Sequence, residues 1–169
     1  MALMGWLDGR TARLVGHCPA IATALTAQGA TLVADGDCDV LIHVAPPPPV
    51  QLAHEQSHAE WRATLDAGLD QRFLLAKDFA AARRAAGKGG TVVFVGAPEQ
   101  ALGADQAAAG GALGNLTKTL GVEWARDGIR VNTVQTEADD ATLGNLVAYL
   151  ASDYAAYVTG AVMGVGLDD

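Results

Sequence analysis

His54-Glu55-Gln56-Ser57-His58 is a literal HExxH. On a helix this spacing sets two imidazoles one turn apart, where they can hold zinc while the glutamate acts as general base. No histidine follows His58, so a third ligand would have to be a carboxylate such as Glu99, Glu123 or Glu137. The motif also comes directly after four prolines, Pro46 to Pro49, at the start of a helix and not inside one. His54 and His58 are therefore candidate metal ligands whose expected role is a polar helix start, with no metal bound.

A second chemical possibility lies in Gly16-His17-Cys18-Pro19-Ala20, a strand-to-helix turn. Such turns bind a dinucleotide pyrophosphate when glycines let backbone amides at a helix N-terminus approach it. One glycine stands here instead of three, and Pro19 removes an amide donor. An acidic residue selecting a ribose would follow the second strand, and Asp35 is the candidate. Gly16 and Asp35 are thus the candidate cofactor contacts, with an ordinary turn and no bound cofactor as the expectation.

The elements that must carry these residues alternate. Thr11 to Gly16 reads as a strand, Pro19 to Gln28 as a helix closed by Gly29, and Thr31 to Ala34 as a very short strand before the turn Asp35-Gly36-Asp37. Val40 to Val44 is the next strand, and the prolines then impose an extended loop. A long helix runs from about Ser57 to Ala86, with Trp61, Leu65, Leu69, Phe73, Leu74 and Phe79 as its apolar positions. Strand Val92 to Val95, helix Asp105 to Arg126, strand Arg130 to Val134, helix Ala141 to Ala151 and strand Val162 to Val165 follow. Alternation of this kind predicts a parallel sheet covered by helices. One connection is too short: a parallel crossover takes about a dozen residues, yet only Asp35 to Asp39 separate the second and third strands. Either Thr31 to Ala34 is a stub that barely pairs, or the sheet edge is rebuilt.

The chain has 169 residues, half of them hydrophobic, and a formal net charge of -8. That length predicts a single domain over 1–169. No apolar run reaches the roughly 18 residues of a membrane span, and the first residues show no basic segment followed by an apolar one, so a cytoplasmic protein is expected. The negative charge disfavours nucleic acid. Cys18 and Cys38 are expected to stay reduced, as small buried hydrophobes.

Several runs resemble the short-chain dehydrogenase/reductase family in the family's order. Leu116 to Glu123 is similar to the end of the helix that carries the catalytic YxxxK. Gly128-Ile129-Arg130-Val131-Asn132 resembles the sixth strand, and Leu150 to Asp153 with Tyr157 to Gly160 the turn before the seventh. Asp39 to Ala45, Glu60-Trp61 and Thr91 to Gly96 resemble the fourth strand, fourth helix and fifth strand. The resemblance implies an α/β, Rossmann-like three-layer fold with a reduced parallel sheet of five or six strands, lacking the third strand and its flanking helices. Members usually run to roughly one and a half times this length.

The same resemblance places the family's catalytic Asn, Ser, Tyr and Lys on Gly68, Gly96 or Ala97, Gln106 and Gly110. None of these can exchange a proton with a substrate or lower a phenol's pKa. The family's Asn-Asn-Ala-Gly reads His43-Val44-Ala45-Pro46, its Pro-Gly after the sixth strand reads Thr136-Glu137, and its substrate-covering insertion shrinks to Ala138-Asp139-Asp140. Lys118, Glu123, Arg130 and Asn132 are accordingly read as surface or strand-register residues.

What survives is what family members use to assemble: the helices around 57–86 and 105–126 and the final strand. Ala107 to Ala112 offers small side chains for close helix approach, either to a partner or to the chain's own sheet. The resemblance implies a non-catalytic subunit that forms a hetero-oligomer, expected to be a heterotetramer, with an active paralogue of the family. NAD(P) would then sit in the partner, acting on acyl-CoA or hydroxy/keto intermediates. The alternatives are a self-associating pseudo-enzyme that holds a small ligand and, last, the zinc hydrolase.

Overall fold

The computed structural model describes residues 5–46, 49–96, 103–136 and 138–165. Six parallel strands form one sheet: β1 (Thr11–Val15), β2 (Thr31–Leu32), β3 (Val40–Val44), β4 (Gly90–Gly96), β5 (Ile129–Thr136) and β6 (Val162–Val165), in the order β2-β1-β3-β4-β5-β6. Helices α1 (Pro19–Ala27) and α5 (Ala141–Ala151) cover one face, around Ile21, Leu25, Ile42, Val93 and Val147. Helices α3 (Gln71–Ala85) and α4 (Ala104–Glu123) cover the other, around Leu41, Ala76, Phe94, Leu113 and Val131. Buried on both faces, β3 and β4 are apolar runs interrupted only by His43 and Thr91, the pattern of central strands in a parallel sheet.

The short connection is resolved by a stub. Strand β2 pairs with β1 over only two residues, Thr11 with Thr31 and Ala12 with Leu32. Because β2 rises so little, the chain has almost no height to recover before Val40 pairs with Ala12 on the other side of β1. Two strand spacings are about 10 Å, and residues 33–39 span that without a helix.

Arg83 fastens this shortcut. Buried at 4% exposure on α3, it donates to the carbonyls of Gly89 (2.7 Å) and Cys38 (3.1 Å) and to the carboxylates of Asp37 (3.3 Å) and Asp39 (3.0 Å). Asp39 in turn accepts from the Thr11 backbone N–H and hydroxyl, holding the start of β1. Cys18 and Cys38 are both buried and unpaired.

The long helix is interrupted. Helix α2 (His58–Leu65) passes into a π turn at Asp66–Asp70 before α3 begins. Its fully buried positions are Arg72, Ala76, Ala80 and Arg83; of the large apolar set, Leu69 and Phe79 pack against the same core, while Phe73 (40%) and Leu74 (50%) are exposed. Alanines let α3 approach the sheet closely, which leaves Phe73 and Leu74 outside. Helix α4 uses its small residues both ways. Ala109 is buried beside Gly68, whereas Gly111 faces open space.

The family-motif residues on β5 act as locks. Asn132, fully buried, donates to the Val158 carbonyl at 2.9 Å and accepts from the Ala161 N–H at 3.1 Å. Arg130 reaches the carbonyls of Leu150, Ser152 and Ala155 and the Thr91 hydroxyl. Both tie β5 to the chain entering β6. Lys118 and Glu123 lie on the exposed face of α4.

Candidate functional cleft

At the C-terminal ends of the strands, where ligands bind in open parallel α/β sheets, lies a cavity of about 1330 Å³. Gly68 on the π turn, Gly96 at the end of β4, and Gln106 and Gly110 on α4 all line it, as does Gly16. The structure therefore gathers these five sequence-derived positions into one place. Asp35 is exposed in the β2–β3 connection and lies outside the cavity lining. Ala97, Glu99 and Glu137 fall outside the described residues.

The HExxH does not form a helical pair. His54 sits in a turn, and only His58 is helical, at the first position of α2. Ser57 and Glu60 explain this start: the Ser57 hydroxyl accepts from the Glu60 N–H, and the Glu60 carboxylate accepts from the Ser57 N–H at 2.8 Å, a reciprocal capping box. Among the described residues no three metal-ligating side chains cluster.

The turn after β1 does not fit a pyrophosphate. Gly16 has φ +96°, and a Cβ there would overlap the Val44 carbonyl oxygen, so its glycine is required by the close approach of β3. Pro19 occupies the first turn of α1. Across the cleft, one Asp139 carboxylate oxygen accepts from the Cys18 thiol (3.1 Å) and the Ala20 N–H (3.4 Å). An anion of the chain's own thus sits at the helix N-terminus, where a phosphate would otherwise be drawn. Burial pushes the Cys18 thiol up, and Asp139 pushes it further the same way.

The Arg72 guanidinium packs directly against Gly96. Its guanidinium nitrogens Nη1 and Nη2 lie 2.9 Å from where a Gly96 Cβ would stand, so no side chain could be added there without moving it. Its Nη2 donates to the Val95 carbonyl at 2.8 Å. Beside it His43 is buried, with its pKa pushed down to about 4 by burial and then by the Arg72 charge. A depressed base stabilises the fold above its unfolded value near 6.5 and loses that contribution as pH falls toward 4. Urea unfolding should show on the order of 3 kcal/mol lost across that window, and His43→Leu should flatten the dependence. An unchanged profile in the variant would rule out His43 as its source.

On the other flank, Asp105 accepts from the Thr64 hydroxyl at 2.5 Å, tying α4 to α2. Burial would raise its pKa, but hydrogen bonds from Thr64 and Gln56 hold it below the usual carboxylate range. Gln106 is buried beside it and presents an amide to the cleft.

A family model described as enoyl-(acyl carrier protein) reductase matches residues 27–140. This chain belongs to the short-chain dehydrogenase/reductase family. It is 30% identical, over a 161-residue alignment, to cis-4-hydroxycyclohexanecarboxylate dehydrogenase of Sinomonas cyclohexanicum, covering 77% of this chain and 65% of that enzyme. It is 28% identical to the L-tagatose-forming galactitol 2-dehydrogenase of Cereibacter sphaeroides, covering 85% and 70%. The chain thus spans about two thirds of the length of these curated relatives. Its fold is similar to a short-chain type dehydrogenase/reductase from Mycobacterium marinum, with a TM-score of 0.85 at 20% identity over 94% of each chain. A structure described as a dehalogenation enzyme gives 0.84 at 19% identity, over 95% of this chain and 98% of that one.

Within the short-chain dehydrogenase/reductase fold, the sequence motifs did not single out Arg72 and Asp139, which line the cleft, or His43, buried beside Arg72. An arginine among outward-facing helix residues reads as solvated. Only its spacing from Ala76 and Ala80 marks the buried face, and that spacing stands out once Phe73 and Leu74 are known to point outward.

Proposed function

We propose that this chain is a non-catalytic short-chain dehydrogenase/reductase subunit that assembles with an active paralogue into a hetero-oligomeric NAD(P)-dependent dehydrogenase, in a structural or regulatory role. The observation that carries this reading is the cleft itself: the positions matched to the proton-transfer residues are Gly68, Gly96, Gln106 and Gly110, three of which have no side chain and one of which cannot titrate. The Asp139 carboxylate at α1 further supports placing the cofactor in the partner, because it repels a pyrophosphate. Exposed Phe73 and Leu74, together with the open small-residue face at Gly111, support assembly through α2, α3 and α4. The half-exposed β6 supports a second contact at the sheet edge. A hydroxy acid or an acyl thioester fits the partner's substrate class.

The isolated chain should show no NADH or NADPH fluorescence enhancement and no nicotinamide-dependent turnover. Saturable dinucleotide binding, or turnover by this chain alone, would contradict the proposal. The retained cavity favours a second reading, a pseudo-enzyme that holds a small ligand, and a stable, soluble self-oligomer would favour it.

A further inference from the structure

Among the described residues, Arg72 is a buried charge without a counter-charge. It is 2% exposed, and burial lowers its pKa only to about 10, so it stays protonated at neutral pH. The Val95 carbonyl takes one of its N–H groups, while Nε and Nη1 have no partner among the described residues. Among the described residues no carboxylate forms an ion pair with it. His43, the titratable neighbour that feels its charge, is held neutral. A lone buried guanidinium is costly unless an anion meets it, and its planar fork matches a carboxylate.

Arg72 lines the 1330 Å³ cavity at the Gly96 end. The remaining wall is largely apolar, with Val44, Ala63, Ala67, Leu113 and Leu143 facing the same space. Glu60, Asp105 and Asp139 also line it. Those acidic groups disfavour a doubly charged phosphate and leave a singly charged ligand as the better match.

We propose that the cleft binds a small organic carboxylate, with its anionic group on Arg72 and its apolar body along the aliphatic wall. The pocket that lost its catalytic side chains thereby becomes a recognition site. It is formed by this chain's own residues, so its test is independent of the subunit reading.

Isothermal titration and thermal melting of the chain, with its partner where the two purify together, would compare octanoate, octanamide and acetate. Octanoate should bind and raise the melting temperature, at least about tenfold tighter than either, since a charge-assisted hydrogen bond and apolar burial each contribute that much. Arg72→Met should weaken octanoate by at least about tenfold. Without ligand it should melt no lower than the wild type, because methionine removes an uncompensated charge. Gly96→Ala crowds the guanidinium and serves as the second variant if Arg72→Met fails to fold; it should weaken octanoate with no effect on octanamide. Equal binding of octanamide, equal binding of acetate, or octanoate affinity that survives both substitutions would overturn the proposal.

Discussion

Arg83→Met lowers the stability of this chain by about 3 kcal/mol, as the sum of a lost buried ion pair and two abandoned carbonyls. Two of its four acceptors are backbone carbonyls and two are the carboxylates of Asp37 and Asp39. The shortcut from β2 to β3 has no helix to bury, so this one side chain supplies cohesion that a full crossover would obtain from packing. For a domain of this size the loss corresponds to a melting temperature lower by about 10 °C.

The pH dependence gives the same substitution a second signature. Burial tends to raise the pKa of Asp39, but the Thr11 hydrogen bonds and the Arg83 charge reverse it and hold the group below the usual carboxylate range. A depressed carboxylate stabilises the fold above its unfolded value, near 3.8, and that contribution is lost as pH falls through the folded value. Arg83→Met should therefore make the acid limb below about pH 4 shallower, with the Thr11 hydrogen bonds keeping the remainder. A variant with wild-type stability and an unchanged acid limb would show that the connection is held by something else.

If the chain assembles with a paralogue as proposed, Phe73→Glu with Leu74→Glu should leave the chain folded but strongly weaken that assembly. Both side chains are exposed on α3 while Ala76 and Ala80 face the sheet, so neither contributes to the core. Large apolar anchors at the centre of an interface typically contribute about 2 kcal/mol each, and two buried carboxylates in their place add a desolvation cost. The partner's affinity should fall at least about 100-fold on those magnitudes. Circular dichroism and melting would verify the fold, and analytical ultracentrifugation the assembly. A double variant that still co-sediments at wild-type affinity would place the interface elsewhere.

Alternation from β1 to β6 was readable because each central strand is an apolar run flanked by glycine or proline, and the bounds of β3, α5 and β6 coincide with the sequence reading. The β2–β3 problem was visible as too few residues, yet its solution depends on register, which two short strands do not encode. Ser57-His58-Ala59-Glu60 has the spacing of a capping box, but it overlaps HExxH, and of the two motifs the sequence reading weighed only the metal one. For the long helix, periodicity alone could not say which stripe faces the sheet. Phe73 and Leu74 satisfy the pattern of a core, and only packing revealed that alanines and two arginines occupy it. Asp139 lies 119 residues from Ala20, and a loop carboxylate at that separation leaves no local trace of where it docks.

The most direct test of the subunit reading is co-expression with the active paralogue, followed by size-exclusion chromatography with mass determination and a nicotinamide-dependent assay of each peak. The account predicts a stable mixed oligomer whose activity depends on, or is raised by, this chain, while the chain alone is inert. A self-oligomer that ignores the paralogue, or a paralogue equally active without it, would contradict the account.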